Sequence, residues 1–278
     1  EGTHAPGHTS LEQTLAVNHH LLVSHGLSVP IIRENSKDSK VGIALNLTPT
    51  YPASSSEADR EAAKLFDEQF NAWYLDPLYG KKYPKNIIEC WKDRGELKND
   101  FDFIQDDDFK VIAAPTDFLG VNYYSRAIIR CSKTEKHKNL PVEIVPGEKT
   151  KFDWEVFPQG LEELLVRINK DYSPKSLFIT ENGASYDADI QGTEDINDVK
   201  RIEYLESHIH ACKKAVDQGV PLQGYFCWSL MDNFEWAEGL NHRFGLVHVD
   251  FDTQKRIPKR SYKWYRKFLQ DEISIYKR

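Results

Sequence analysis

No apolar run in this sequence approaches the ~18 residues that a membrane span requires. The opening residues also lack the basic, then apolar, then small-residue order of a secretion signal. Neither membrane insertion nor export is therefore expected. Positive charge is in short supply as well, since 36 Lys and Arg face 43 Asp and Glu for a formal charge of -7. Nucleic acid and anionic membrane both recruit basic surfaces, so both are set aside as main partners and a neutral ligand is favoured. Cysteine is scarce and scattered. Cys90, Cys131, Cys212 and Cys227 form no C-x-x-C pair and no zinc-ligand spacing, which predicts reduced thiols and a cytoplasmic protein. Methionine is rarer still, with Met231 standing alone. A chain that opens on Glu1-Gly2-Thr3-His4-Ala5-Pro6-Gly7 without an initiator is expected to lack an upstream segment.

What is present is a globular composition: 40% hydrophobic, 28% charged and 12% aromatic residues in 278 positions. These values exclude collagen-like, low-complexity and disordered classes, and the chain is read as a single domain over residues 1–278. Ser10 to His25 carries helical periodicity, with Ser10 as the N-cap, Gly26 as the stop and a resumption beyond Pro30. Lys40 to Thr48 (core VGIALNL) reads as a buried strand, and Glu57 to about Tyr74 as a helix. Asp76 to Asp117 reads as a long, loop-rich stretch with turns at Pro77, Pro84 and Gly95. Further strands are expected from Asp117 to Tyr124, Ser176 to Thr180 (SLFIT) and Leu222 to Trp228 (LQGYFCW). Between and after them come helices from Gln159 to Lys170, Asp198 to Gln218 and Tyr262 to Leu269, with a polar excursion from Lys133 to Lys151. Strands alternating with helices predict an α/β fold with a parallel sheet and right-handed crossovers. A complete (β/α)8 barrel fits in ~250 residues, yet only four strands can be placed, so the chain reads as half a barrel.

Polar and aromatic residues gather where the strands end: Asn122-Tyr123-Tyr124, Thr180-Glu181-Asn182-Gly183 and the run from Trp228 to Trp236. In an α/β barrel this rim carries the active site. A carboxylate just beyond an apolar strand is rigidly placed and partly desolvated, as a nucleophile or general acid must be, which makes Glu181 the leading candidate. An isolated Glu-Asn-Gly would be explained as well by a helix cap or an arginine partner. Trp154, Trp228, Trp236, Phe244 and Tyr124 add flat apolar faces near the same ends, and sugar rings stack on such faces while their hydroxyls seek carboxylates. Glu235-Trp236 meets both demands. Trp73, Trp91 and Trp264, on helices, are assigned to packing.

Taken together, Gly2 to Gly7, Asp117 to Ser125, Asp153-Trp154-Glu155, Ile179 to Gly183 and Trp228 to Gly245 resemble glycoside hydrolase family 1, the β-glucosidase family, in order and over essentially the whole chain. The resemblance implies a (β/α)8 barrel of which this chain supplies strands 5 to 8. It implies a retaining hydrolase of β-glucosides and related β-glycosides that uses neither metal nor organic cofactor. On this resemblance Glu181 is the nucleophile and Tyr124 holds its carboxylate, with Asn122 in the same site. Trp228 stacks beneath the sugar, Glu235 accepts from its O4 and O6 hydroxyls with Trp236 beside it, Phe244 lines the pocket and Trp154 flanks the aglycone entrance. Glu235 also argues for unphosphorylated sugar, because a carboxylate there repels a phosphate dianion.

The family's acid/base glutamate lies in an Asn-Glu-Pro motif ahead of the segment matching Gly2 to Gly7, and this sequence starts too late to contain it. A retaining mechanism needs two carboxyl groups about 5 Å apart, and Glu1, Glu12 and Glu238 have no claim to the second role. The expected partners are therefore the β-glycoside and the missing N-terminal barrel half. A non-catalytic carbohydrate-binding relative and an inactive fragment are the competing readings. His19-His20 and His208-x-His210 lack the i, i+4 spacing of a helical metal site and are read as surface or packing residues. Asn46-Leu47-Thr48 matches a glycosylation sequon at the end of a predicted buried strand and is read as accidental. Asp106-Asp107-Asp108 reads as a solvated edge.

Overall fold

The computed structural model describes residues 2–98, 101–131, 139–141, 147–187 and 196–276. Its centre is a four-stranded, fully parallel sheet in the order β1 (Gly42–Asn46), β3 (Phe118–Asn122), β6 (Leu177–Asn182), β7 (Leu222–Cys227). These are the strands expected from the apolar runs. Helices α6 (Pro158–Tyr172) and α7 (Val199–Asp217) cover one face of the sheet. Leu161, Leu164, Leu165 and Ile168 fall at helical spacing on α6 and are fully buried against Leu119, Val121, Leu177 and Ile179. Each such side chain contributes roughly 1.5–3 kcal/mol by leaving water.

A second cluster lies under α1 (Leu11–Asn35), where Leu15 and Leu22 meet Trp73, Tyr83, Ile87, Trp91, Leu97 and Ile112. Ser10 caps α1 by accepting from the Gln13 amide. Gly26 does not stop the helix. A Cβ there would stand 2.1 Å from the Val111 carbonyl oxygen of α5 (Asp108–Ile112), so the glycine permits the two helices to touch. The helix also runs through Pro30, which leaves the carbonyl four residues back without an amide donor. By length and composition α1 is apolar enough to cross a membrane, a property the sequence reading did not assign to any segment. In the fold one side of it packs inward, while Val17, Leu21, Leu27 and Ile31 face outward.

The stretch from Asp76 to Asp117 holds two helices, α4 (Lys85–Asp93) and α5, rather than loop alone. The helix expected from Glu57 divides into α2 (Glu57–Asp67), a π-helical turn over Glu68–Ala72, and α3 (Trp73–Leu78). A small second sheet joins β2 (Thr50–Pro52), β4 (Ala127–Cys131) and β5 (Asn139–Pro141). A hairpin of β8 (Val247–Val249) and β9 (Arg256–Pro258) precedes the final helix α8 (Arg260–Tyr276). Much of the polar excursion from Lys133 to Lys151, and Glu1, lie outside the described residues.

Candidate active site

Glu181 stands at the end of β6, opposite Asn122 at the end of β3. Two residues beyond Asn122, the Tyr124 hydroxyl donates to Glu181 Oε2 at 2.6 Å. Burial, then this hydrogen bond and the charge of Glu181, then Glu235, push the Tyr124 phenol far above its ordinary value. It therefore stays protonated and remains a donor. Asn122 Oδ1 accepts from the Thr180 hydroxyl at 2.6 Å. The chain must turn sharply after Glu181-Asn182, and Gly183 is required there because a Cβ would meet the Trp228 carbonyl oxygen at 1.7 Å. The β6 end and Trp228 are thus in backbone contact, joined by the Trp228 amide donating to the Asn182 carbonyl at 2.9 Å.

Trp228 follows β7 and precedes Glu235 in the same excursion. Partial burial raises the Glu235 pKa, the polar edge of the Trp228 side chain opposes that, and the charges of Glu181 and Glu238 raise it further. The two carboxylates at 181 and 235 therefore share one electrostatic environment. Phe244 is buried, with its ring 6.2 Å from that of Tyr124 and 6.4 Å from that of Trp154. Trp154 lies 5.3 Å from Tyr124 and stacks on Phe152 at 4.5 Å. Trp236 stands apart: it is 72% exposed, and its ring partner is His4, edge-on at 6.1 Å.

Two structures that sequence reasoning missed hold this rim in place. Around Trp154, Arg126 makes a two-pronged pair with buried Glu155 at 2.6 and 3.0 Å, and its guanidinium lies 3.7 Å from the Phe157 ring. Under the segment 228–249, fully buried Asp232 accepts from Lys259 Nζ at 2.9 Å, the Gly245 amide at 2.9 Å and Arg243 at 2.9 Å. Burial alone would raise the Asp232 pKa, but Lys259 and Arg243 outweigh it and hold the group below its ordinary value. Beside it, buried Arg201 pairs with Asp198 at 3.0 Å and donates to the carbonyls of Ala184, Phe244 and Arg243. Phe152 and His242, with rings 4.0 Å apart, were also unmarked in the sequence.

The residues set aside are accounted for. His19 is buried between the Tyr83 hydroxyl and Asp108, so Asp108 is a pairing carboxylate at the start of α5 rather than a solvated edge. His208 bonds the Tyr204 carbonyl, and burial lowers its pKa to about 4. Asn46 of the sequon is exposed, not buried. Glu12 is engaged with the Lys98 amide, and Glu238 lies 3.6 Å from His242.

Comparison with known proteins gives a consistent result. Residues 1–273 match the sequence profile of glycosyl hydrolase family 1. The chain is 41% identical to β-glucosidase A of Acetivibrio thermocellus, covering 97% of this chain and 60% of that relative. It is 37% identical to the β-glucosidase of Agrobacterium sp., over 95% of this chain and 57% of the relative. The crystal structure of the GH1 β-glucosidase from Exiguobacterium antarcticum B7 superposes with a TM-score of 0.93 at 36% identity, covering 98% of this chain and 60% of that one. The β-glucosidase from Thermotoga maritima in complex with glucoimidazole gives 0.87 at 39%, covering 97% and 59%. The chain thus spans about three fifths of the length of these relatives. A match over nearly every residue, at these identities, places the chain in glycosyl hydrolase family 1.

Proposed function

We propose that this chain is the C-terminal part of a retaining β-glucosidase in which Glu181 is the nucleophile. The observation that carries the reading is the short hydrogen bond from Tyr124 to Glu181 at the end of the parallel strands, beside Glu235 and Trp228. Glu181 attacks the anomeric carbon and displaces the aglycone, leaving a covalent glycosyl ester. Water then hydrolyses that ester, and two inversions give net retention. Tyr124 steadies the carboxylate, Trp228 supplies the stacking face, and Glu235 accepts from the sugar hydroxyls. Asn122 and Phe244 complete the pocket, with Trp154 at the aglycone entrance and Trp236 on the outer rim beside Glu235. The Glu235 carboxylate also disfavours a phosphorylated sugar, since it would repel a phosphate dianion.

The second carboxyl group, the acid that protonates the leaving oxygen and then activates water, belongs in this proposal to the part of the relatives that the chain does not span. The same part supplies the first four strands and closes the barrel. Among the described residues β1 and β7 pair on one side only. The aromatic ladder Phe118, Phe178 and Phe226 lies across the sheet, with Phe226 58% exposed, as expected of a surface made to be covered. The scattered cysteines at 90, 131, 212 and 227 are read in this proposal as thiols of a cytoplasmic enzyme.

The test is the stereochemistry of the first product. In the full-length enzyme acting on an aryl β-glucoside, proton NMR within the first turnovers should show β-glucose before mutarotation. First-formed α-glucose would mean inversion and would remove Glu181 from the role of nucleophile.

A further inference from the structure

Where Glu181 sits, the backbone ladder is irregular: the β3–β6 register shifts at Asn122 and the β6–β7 register shifts between Ile179 and Asn182. Regular sheet hydrogen bonds therefore do not by themselves fix the nucleophile against Tyr124. A buried side-chain network takes their place. Asn182, fully buried, donates from Nδ2 to the Tyr123 carbonyl at 2.7 Å and to the Tyr204 hydroxyl at 3.0 Å. Its Oδ1 accepts from the Tyr225 hydroxyl at 2.6 Å, so every polar atom of the amide group is used. Tyr204, buried on α7, passes its own proton on to the Tyr124 carbonyl at 3.2 Å. The Tyr123 amide closes the circuit by donating to the Glu181 carbonyl at 2.9 Å.

The geometry points to Tyr204 as a positioning residue for the Tyr124–Glu181 pair, an inference that rests on the functional reading above. A buried tyrosine between helix and sheet commonly serves packing alone. This one spends both capacities of its hydroxyl on the two residues that neighbour the nucleophile pair: it accepts from the residue after Glu181 and donates to the backbone of Tyr124. Its ring is fixed by stacking on His208 at 3.9 Å. Burial raises the phenol's pKa far above its ordinary value, so the proton needed for donation is always present. Removing the hydroxyl takes its donor from the Tyr124 carbonyl and leaves one N–H of fully buried Asn182 without its acceptor, and the strand end can relax along its register slip. Tyr124 then no longer meets Glu181 at the same distance.

The experiment is a double-mutant cycle in the full-length enzyme. Tyr204→Phe should lower kcat by about tenfold to a hundredfold with KM nearly unchanged, as expected when a reacting group is misplaced by ~1 Å. In a Tyr124→Phe background the same substitution should cost less than about twofold, since the bond it serves is already gone. Equal losses in both backgrounds, or a loss that falls on KM rather than on kcat, would mean that Tyr204 only packs. Tyr225→Phe removes one donor to Asn182 and should show the same background dependence at smaller size. It decides the question if Tyr204→Phe does not fold. Absence of β-glucosidase turnover in the parent enzyme would overturn the functional reading and this inference with it, whereas an active parent with background-independent losses would overturn the inference alone.

Discussion

The two sides of the site are held by different physics. The Glu181 side, at the ends of β3 and β6, is fixed by neutral groups: tyrosine hydroxyls, an asparagine amide and backbone carbonyls. The other side, the segment 228–249 that carries Trp228 and Glu235, is pinned from below by buried charge, with Asp232 between Lys259 and Arg243 and Arg201 against Asp198. A nucleophile must keep its own charge available, and a neutral scaffold of aimed donors does not compete for it. A long excursion from a strand end has no ladder to hold it, and saturated ion pairs give it a unique seat. The first side should therefore be sensitive to the loss of single hydroxyls, and the second to the loss of charge.

The largest effect that would break this contrast lies on the charged side. Asp232→Asn should destabilise the full-length enzyme by about 3–5 kcal/mol, because it leaves the fully buried Lys259 ammonium without its carboxylate. Denaturant titration reads this directly. A change below ~1 kcal/mol would show that the pair is not what seats the segment.

A smaller effect is expected at the ligand. Glu235→Ala removes a charge-assisted acceptor, so it should weaken transition-state binding of glucosides and galactosides by about 1.5–3 kcal/mol. The 6-deoxy fucosides, with one hydroxyl fewer, should lose less. Comparing kcat/KM across the three substrates measures the difference, and equal losses would take Glu235 out of sugar recognition.

The smallest expected effect sharpens the contrast through pH. Asp232 is held below the ordinary carboxylate value of 3.8 in the fold, so on acidification the unfolded chain takes up the proton first. Its contribution to stability is whole above that ordinary value and drains away as pH falls through the lower folded one. Melting temperature followed from pH 6 to about 2 should show that loss, and Asp232→Asn should flatten the lower end of the curve. An unchanged curve in the variant would place the acid sensitivity elsewhere.

Much of this was legible in the sequence, for physical reasons. The four central strands are apolar runs ended by polar clusters, with apolar side chains both against the covering helices and on the opposite, phenylalanine-lined face. Glu181, Tyr124, Trp228 and Glu235 sit where those runs stop, and the structure brings them together. The helices α4 and α5 were hidden because Pro84 and Gly95 read as loop punctuation, whereas Pro84 immediately precedes α4 and Gly95 follows its end. Gly26 misled in the opposite sense, since its small size serves a helix contact rather than a helix stop. Tyr204 lies on an amphipathic helix and looks like any core aromatic. Asp232 was absorbed into a sugar-binding cluster because nothing in one dimension shows that Lys259 lies beneath it. Phe152 and His242 are ninety residues apart in sequence, and their pairing is a product of the fold alone.

The central claim, that Glu181 is the nucleophile, is tested most directly by trapping the covalent intermediate. From a 2-deoxy-2-fluoro-β-glucoside, a dinitrophenolate leaving group departs with little acid assistance, while the fluorine slows both steps and lets the glycosyl-enzyme accumulate. With the full-length enzyme, peptide mapping should place one fluorosugar within Ser176 to Gly183, on Glu181, and Glu181→Gln should abolish both labelling and turnover. A label on any other carboxylate, or full activity in Glu181→Gln, would contradict the account.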